Sequence, residues 1–134
     1  MVIRPATQRD LAGVLAVWQG AGAVPGATDD LDALQRLVEF DGEALLLAER
    51  DGAVVGTIIA AWDGWRGNMY RLAVVPQHRR DGVATKLVRA AEARLQTLGC
   101  RRITALVVGR HDPAVGLWTS VGYTYQVGTR RYLR

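Results

Sequence analysis

Two apolar runs joined by one Asp-Gly dipeptide constrain the fold of this chain more than any other feature. The first run is ALLLAER (44–50), the second is AVVGTIIAAW (53–62), and Asp51-Gly52 lies between them. Asp-Gly suits the tight turn of a β-hairpin, because both turn positions need a positive φ. A second turn, DGWRG, leads into a run over 69–75 that Pro76 ends. The sequence therefore predicts three consecutive antiparallel strands.

Segments with helical periodicity lie on both sides of these strands. The first is capped by Thr7 or Asp10, and the longest is ended by Gly99. The helical segments are 11–18, 31–38, 83–98 and 113–121, and further strands are expected at 1–5, 101–108, 123–127 and 129–133. We therefore expect a single α+β domain over residues 1–134, with a mixed, largely antiparallel sheet of six to seven strands flanked by about four helices.

Composition limits the class of protein. The chain has 134 residues, of which 49% are hydrophobic and 22% charged, as in a globular domain. It contains no 18-residue apolar run and no signal-like start, which predicts a soluble cytoplasmic protein without a membrane partner. Cys100 is the single cysteine and has no CxxC or Cys/His cluster around it, so neither a disulfide framework nor a metal site is expected.

Charge is unevenly divided along the chain. Residues 1–67 carry ten acids and five bases (net −5), whereas residues 68–134 carry three acids and twelve bases (net +9). This division favours an anionic partner for the second half and a cationic partner for the first. The alternative is that the two signs mingle in space once the chain folds.

The stretch RRDGVA (79–84) connects a predicted strand to the longest predicted helix. A helix N-terminus exposes unbonded N–H groups and a partial positive charge, and a phosphate satisfies both. Gly82 and Ala84 would let the backbone approach a phosphate, and Arg79 and Arg80 would add direct contacts. The alternative is that Asp81 caps the helix with its carboxylate. Neither GxxxxGK[ST] nor GxGxxG occurs here.

Two motifs in the second half resemble those of one enzyme family. LAVVPQHRRDGVATKLV resembles the Q/R-x-x-G-x-G/A signature of the GNAT superfamily of acetyl-CoA-dependent acyltransferases, and here it reads Arg79-x-x-Gly82-x-Ala84. About 35 residues on, AVGLWTSVGY resembles the second family motif, A-x-x-L-Y-x-x-x-G-F/Y. Its matching residues are Ala114, Leu117, Gly122 and Tyr123. The expected order of strands and helices also follows the family, so the resemblance covers essentially the whole chain.

The resemblance implies a site for acetyl-CoA. It implies that the pyrophosphate binds the N–H groups from about Arg80 to Thr85, that the pantetheine arm follows 72–74, and that N–H groups near Ala73 stabilise the oxyanion. The residues it assigns to the cofactor are Leu72, Ala73, Val74, Arg79, Arg80, Asp81, Gly82, Val83, Ala84, Thr85, His111, Ala114 and Trp118.

The chain departs from the family where proton transfer is usually assigned. Trp118 stands where many relatives carry a tyrosine acid, and an indole N–H has no usable acidity near neutral pH. Asn68 stands at about the position of a glutamate base in some relatives, and an amide cannot act as a base. The catalytic residues therefore stay unknown. His111 is a candidate because the ordinary pKa of an imidazole lies near neutrality, with a helix-capping or solvent-facing role as the alternative.

The expected function is acetyl transfer from acetyl-CoA to a primary amine of a small molecule or a peptide N-terminus. The alternative is a non-catalytic module that binds or senses acyl-CoA. A nucleic-acid partner is not expected, because no basic motif interleaved with aromatic residues occurs. The segment with six acids between Asp29 and Glu43 would suit a cationic amine, or it forms an exposed acidic face. Trp62 and Trp65 would line an acceptor pocket or form a cross-strand pair. A monomer or a homodimer is expected.

Overall fold

The computed structural model describes residues 1–23, 26–107 and 114–134. Its strands are β1 (Val2–Pro5), β2 (Leu45–Arg50), β3 (Ala53–Trp62), β4 (Gly67–Val74) and β5 (Ile103–Ala105). Its helices are α1 (Leu11–Gly20), α2 (Leu31–Phe40), α3 (Val83–Thr97) and α4 (Ala114–Ser120), and 3₁₀ turns at Gln8–Asp10 and Pro76–His78 precede α1 and α3. The predicted mixed α/β architecture is confirmed. Within the described ranges, no helix is both long and apolar enough to span a bilayer.

The sheet follows the chain order β1-β2-β3-β4-β5, antiparallel from β1 to β4 and parallel between β4 and β5. The predicted hairpin is confirmed: Asp51 and Gly52 have φ values of 53° and 78° at the turn between β2 and β3. The three consecutive antiparallel strands are also confirmed. The change to parallel pairing after β4 follows from the crossover through α3.

Both faces of the sheet are covered. Because side chains alternate along a strand, β3 and β4 contribute to two separate cores. The core beneath α3 and α4 includes Ile58, Met69 and Leu87, and the core beneath α1 and α2 includes Trp18 and Ile59. The apolar face of each helix therefore explains its position against the sheet.

The prediction of six to seven strands is wrong, because the described chain forms five. Residues 123–134 form no strand, and the predicted strand over 101–108 is reduced to β5. Tyr125, Val127 and Tyr132 lie in the two predicted closing strands, yet their side chains are 84–89% exposed. A three-residue edge at β5 offers too little pairing for two further strands, and strand propensity depends on such a partner.

A capping network fixes the start of the first helical segment. The Thr7 N–H and hydroxyl donate to Asp10 Oδ2 at 2.8 and 2.9 Å, and Arg4 donates to both carboxylate oxygens at 2.8 and 3.0 Å. Thr7 and Asp10 therefore act together, as a capping box on the 3₁₀ turn that precedes α1, whereas α1 itself has no side-chain cap. The hydrogen bond from Arg4 lowers the pKa of Asp10 far below its ordinary value.

Asp10→Asn is expected to lower the free energy of unfolding by about 1–2 kcal/mol at pH 7, because the charge-assisted bonds to Arg4 are lost. The pKa is depressed in the folded state, so this stabilisation is complete above the unfolded pKa of about 3.9 and declines as pH falls below it. Urea unfolding of both proteins at pH 7 and pH 3 measures the difference. A difference that does not shrink at pH 3 contradicts this assignment.

Candidate functional site

A β-bulge interrupts β4 at its middle. The register with β3 changes from Ile59↔Tyr70 to Thr57↔Ala73, so Arg71 and Leu72 together lie opposite a single residue. Arg71 has a φ of 53°, which is uncommon for a residue with a side chain and is typical of a strained position. A bulge of this kind bends the strand and redirects its edge.

Buried polar contacts hold the bulge. Thr57, which is fully buried, donates its hydroxyl to the Arg71 carbonyl at 3.0 Å and accepts a 2.8 Å hydrogen bond from Trp18 Nε1. The Arg71 guanidinium lies 5.3 Å from the Trp18 ring centroid and forms an ion pair with Asp29, before α2. The strained backbone is therefore fixed from β3, from α1 and from the loop before α2.

Beyond the bulge, β4 presents an open edge. The Val75 N–H donates to the Val55 carbonyl at 2.9 Å. In an antiparallel pair this bond means that the N–H and the carbonyl of Val74 both face away from β3. β5 pairs with Gly67–Met69, and the Leu106 N–H donates to the Met69 carbonyl at 3.0 Å. In the described part of the chain, no strand pairs with β4 past that point on this side. The bulge thus marks where β4 and β5 separate.

The open edge continues into the loop before α3. Arg80 and Gly82 have φ values of 69° and 77°, and Gly82 is the residue that precedes the first turn of α3. The backbone N–H groups of residues 80–85 donate to no acceptor in the ranges that the structure describes, whereas the Lys86 N–H bonds the Gly82 carbonyl at 3.1 Å. An uninterrupted row of donors therefore lies at the positive end of a helix dipole.

The alternative role of Asp81 as a helix cap is wrong. The structure shows no side-chain cap on α3, and the Asp81 carboxylate accepts a 3.1 Å hydrogen bond from Arg50 instead. Gly82 takes the capping position because its φ lies in the left-handed region, where a side chain is disfavoured. The N–H groups of α3 are consequently left to another acceptor.

The arginines of the predicted site differ in their surroundings. Arg79 donates through Nε to the Val74 carbonyl and through Nη2 to the Ala21 carbonyl, both at 3.3 Å, so it joins the end of α1 to the end of β4. Arg80 is exposed beside the free N–H groups. Leu72, Ala73 and Val74 form the open half of β4, and Val83, Ala84 and Thr85 form the first turn of α3.

The second motif contributes to the core beneath α3. Trp118 is 7% exposed and meets the Tyr123 ring edge-on, with 5.1 Å between centroids and 77° between planes. The Tyr123 hydroxyl donates to Glu92 at 2.8 Å, and burial, followed by that bond, raises the pKa of the phenol. Ala114 begins α4, and His111 lies outside the described residues. Asn68 lies on β4 opposite Ala61 and Thr104, in the closed half of the strand.

Other predicted acceptor residues have local partners. Within the acidic segment, Asp29 pairs with Arg71, Asp32 with Arg36, and Asp41 with Arg94, so much of its charge is balanced by arginine. Trp62 and Trp65 lie at the turn before β4, at the opposite end of the strand from the bulge. Trp65 is 71% exposed and stacks with Arg66, whose guanidinium carbon is 3.9 Å from its ring centroid.

Sequence reasoning missed Thr57, Arg71 and Arg50. Each acts through a partner that is distant in the chain. Thr57 bonds Arg71, 14 residues away, and Arg71 pairs with Asp29, 42 residues away. Arg50 bonds Asp81, 31 residues away. No short motif records such pairs. A polar threonine within the apolar run of β3 was the one visible signal.

The described chain thus combines a mixed sheet, a bulge in β4, an open edge beyond that bulge and a helix start whose N–H groups have no acceptor. The model of the acetyltransferase (GNAT) family matches residues 14–123. The acetyltransferase YE1169 of Yersinia enterocolitica is 31% identical over 126 residues, which cover 94% of this chain and 89% of that protein. The chain belongs to the GNAT family and is an N-acetyltransferase.

Solved structures share the fold. Ard1 from Thermoplasma volcanium superposes with a TM-score of 0.83 at 19% identity, covering 94% of this chain and 84% of that one. The aminoglycoside 6'-N-acetyltransferase AAC(6')-Iy, in complex with a bisubstrate analogue, CoA-S-monomethyl-acetylneamine, superposes with a TM-score of 0.77 at 18% identity, covering 99% and 97%. The order of strands and helices is therefore that of known acetyltransferases.

Proposed function

We propose that this chain transfers the acetyl group of acetyl-CoA to a primary amine. The observation that carries the proposal is the continuity of the open β4 edge with the unbonded N–H groups of residues 80–85. A pyrophosphate on these groups would receive several hydrogen bonds at the positive end of α3. Gly82 and Ala84 leave the backbone accessible, so the residues present fit coenzyme A.

The open half of β4 would hold the thioester end of the cofactor. The Val74 N–H faces the open edge and could donate to an extended arm, as it would to a further strand, whereas the Val74 carbonyl accepts from Arg79 Nε. When bound, acetyl-CoA supplies an activated acetyl group with a thiolate leaving group. The relatives named above include an aminoglycoside acetyltransferase bound to a coenzyme A bisubstrate analogue, which supports this choice of cofactor.

Proton transfer would depend on the acceptor and on water. The nitrogen of the neutral amine would bond to the acetyl carbon, the carbon–sulfur bond would break with coenzyme A leaving as its thiolate, and solvent would take the proton from nitrogen and supply one to the thiolate. Neither the Trp118 indole nor the Asn68 amide can act as a general acid or base near neutral pH. The protein would therefore accelerate the reaction by orienting the reactants and by hydrogen bonds from the β4 edge.

Thiol release with a panel of amines tests the proposal. The panel contains neamine, spermidine and a peptide with a free N-terminus, and mass spectrometry identifies the acetylated product. With at least one of these amines, we expect the amount of thiol released to equal the amount of acetylated amine formed. Binding of acetyl-CoA without transfer to any amine would favour the alternative, a non-catalytic acyl-CoA module.

Arg80→Ala is expected to raise the Kd for coenzyme A about 10-fold, because a charge-assisted contact to phosphate is worth about 1.4 kcal/mol or more. Isothermal titration calorimetry measures the change. Arg101→Ala is the matched control, since it removes the same charge from an exposed arginine beyond the other end of α3. Equal effects of the two substitutions would mean that net charge alone matters, which contradicts a direct contact.

A further inference from the structure

Asp81 is the one acidic residue between positions 64 and 91, and it lies within the loop that would bind the pyrophosphate. An uncompensated carboxylate next to the N–H groups of residues 80–85 would repel an anion, because unit charges a few ångströms apart interact strongly near a protein surface. Binding of coenzyme A at this loop therefore requires that the charge of Asp81 be balanced.

Arg50 balances that charge from a separate part of the chain. It is the last residue of β2, and its Nη1 donates to Asp81 Oδ2 at 3.1 Å. The same nitrogen lies 3.3 Å from His78 Nδ1, and His78 Nδ1 lies 3.8 Å from the Asp81 carboxylate. Arg50 thus contacts the loop at two points, and its guanidinium directs the Asp81 side chain toward β2.

The side chains of Arg50 and His78 are about 30% exposed and that of Asp81 is 47% exposed, so water screens this cluster in part and the ion pair has a moderate effect. Arg50 bonds the loop at its most unusual stretch of backbone, since Arg80 and Gly82, on either side of Asp81, both have positive φ. An ion pair at the residue between them restricts the conformations that the loop can adopt.

We propose that Arg50 is a positioning residue of the coenzyme A site, which neutralises Asp81 and holds the loop with its N–H groups available to the pyrophosphate. This inference rests on the proposed function. Arg50 belongs to neither family motif, and the role proposed for it requires no contact with the cofactor. Its effect on affinity is therefore transmitted through Asp81.

Calorimetric titration with coenzyme A of four proteins tests the inference: the wild type, Arg50→Ala, Asp81→Asn and the double variant. Arg50→Ala is expected to raise the Kd about 5- to 10-fold. Asp81→Asn should bind at least as tightly as the wild type, because it removes the repulsive charge. The double variant should return to within about 2-fold of the wild type, since its loop carries no unpaired carboxylate.

Two further variants separate charge compensation from other effects. Arg36→Ala breaks an exposed ion pair with Asp32 on α2 and should leave the Kd unchanged. Arg50→Lys keeps the charge and should stay within about 2-fold of the wild type. An unchanged Kd for Arg50→Ala, or a double variant as weak as Arg50→Ala, would overturn the inference. Failure of the wild type to bind coenzyme A would instead refute the proposed cofactor.

Discussion

Gly82→Val is expected to raise the Kd for coenzyme A at least about 30-fold, a loss of about 2 kcal/mol. Gly82 has a φ of 77°, a conformation that costs an ordinary residue about 1–2 kcal/mol and a β-branched one more. Valine would therefore rotate the peptides on either side and redirect the N–H groups of residues 80–85. Its side chain would also obstruct the approach of a phosphate to the backbone.

Gly99→Val provides the matched control for this prediction. Gly99 has a φ of 94° just beyond α3, so valine there meets a comparable backbone penalty at the opposite end of the same helix. We expect similar losses of thermal stability in both variants but a large change in Kd only for Gly82→Val. If the Gly82→Val protein folds and binds coenzyme A as the wild type does, the start of α3 is not part of the coenzyme A site.

Thr57→Val is expected to lower the free energy of unfolding by about 2–3 kcal/mol. Valine has nearly the same shape, but it leaves the indole N–H of Trp18 and the carbonyl of Arg71 without their buried partner. A buried donor or acceptor that loses its hydrogen bond costs about 1–3 kcal/mol. Chemical denaturation measures the loss.

Thr57→Ser and Trp18→Phe refine this prediction. Serine keeps the hydroxyl and should lose only about 1 kcal/mol for the missing methyl group. Trp18→Phe combined with Thr57→Val should cost less than the sum of the two single changes, because they remove one shared hydrogen bond. Additive losses, or a serine variant as unstable as the valine variant, would contradict the role given to the Thr57 hydroxyl.

Local signals in the sequence predicted the scaffold well. Asp51-Gly52 specifies its turn through two positive φ values, and Gly99 ends α3 for the same reason. These elements depend on neighbours in the chain, so periodicity and turn residues are sufficient to find them. Gly82 and the donors after it were predicted as a phosphate loop from the same kind of signal.

Features that depend on distant partners were not predicted. The alternation over 123–127 and 129–133 is strand-like, but the three-residue edge of β5 does not provide the pairing that would make it a strand. Arg71 shows no unusual pattern in the sequence, although its ion pair with Asp29 helps to fix the bulge that opens β4. Such contacts arise only when the fold brings the elements together.

Titration of the wild-type protein with acetyl-CoA by calorimetry tests the central claim most directly, because it requires no knowledge of the acceptor. We expect one binding event per chain with a Kd in the micromolar range, and we expect added salt to weaken binding because phosphate contacts contribute. The absence of binding at millimolar acetyl-CoA would contradict the account, since the open edge of β4 and the N–H groups of residues 80–85 would then serve another ligand.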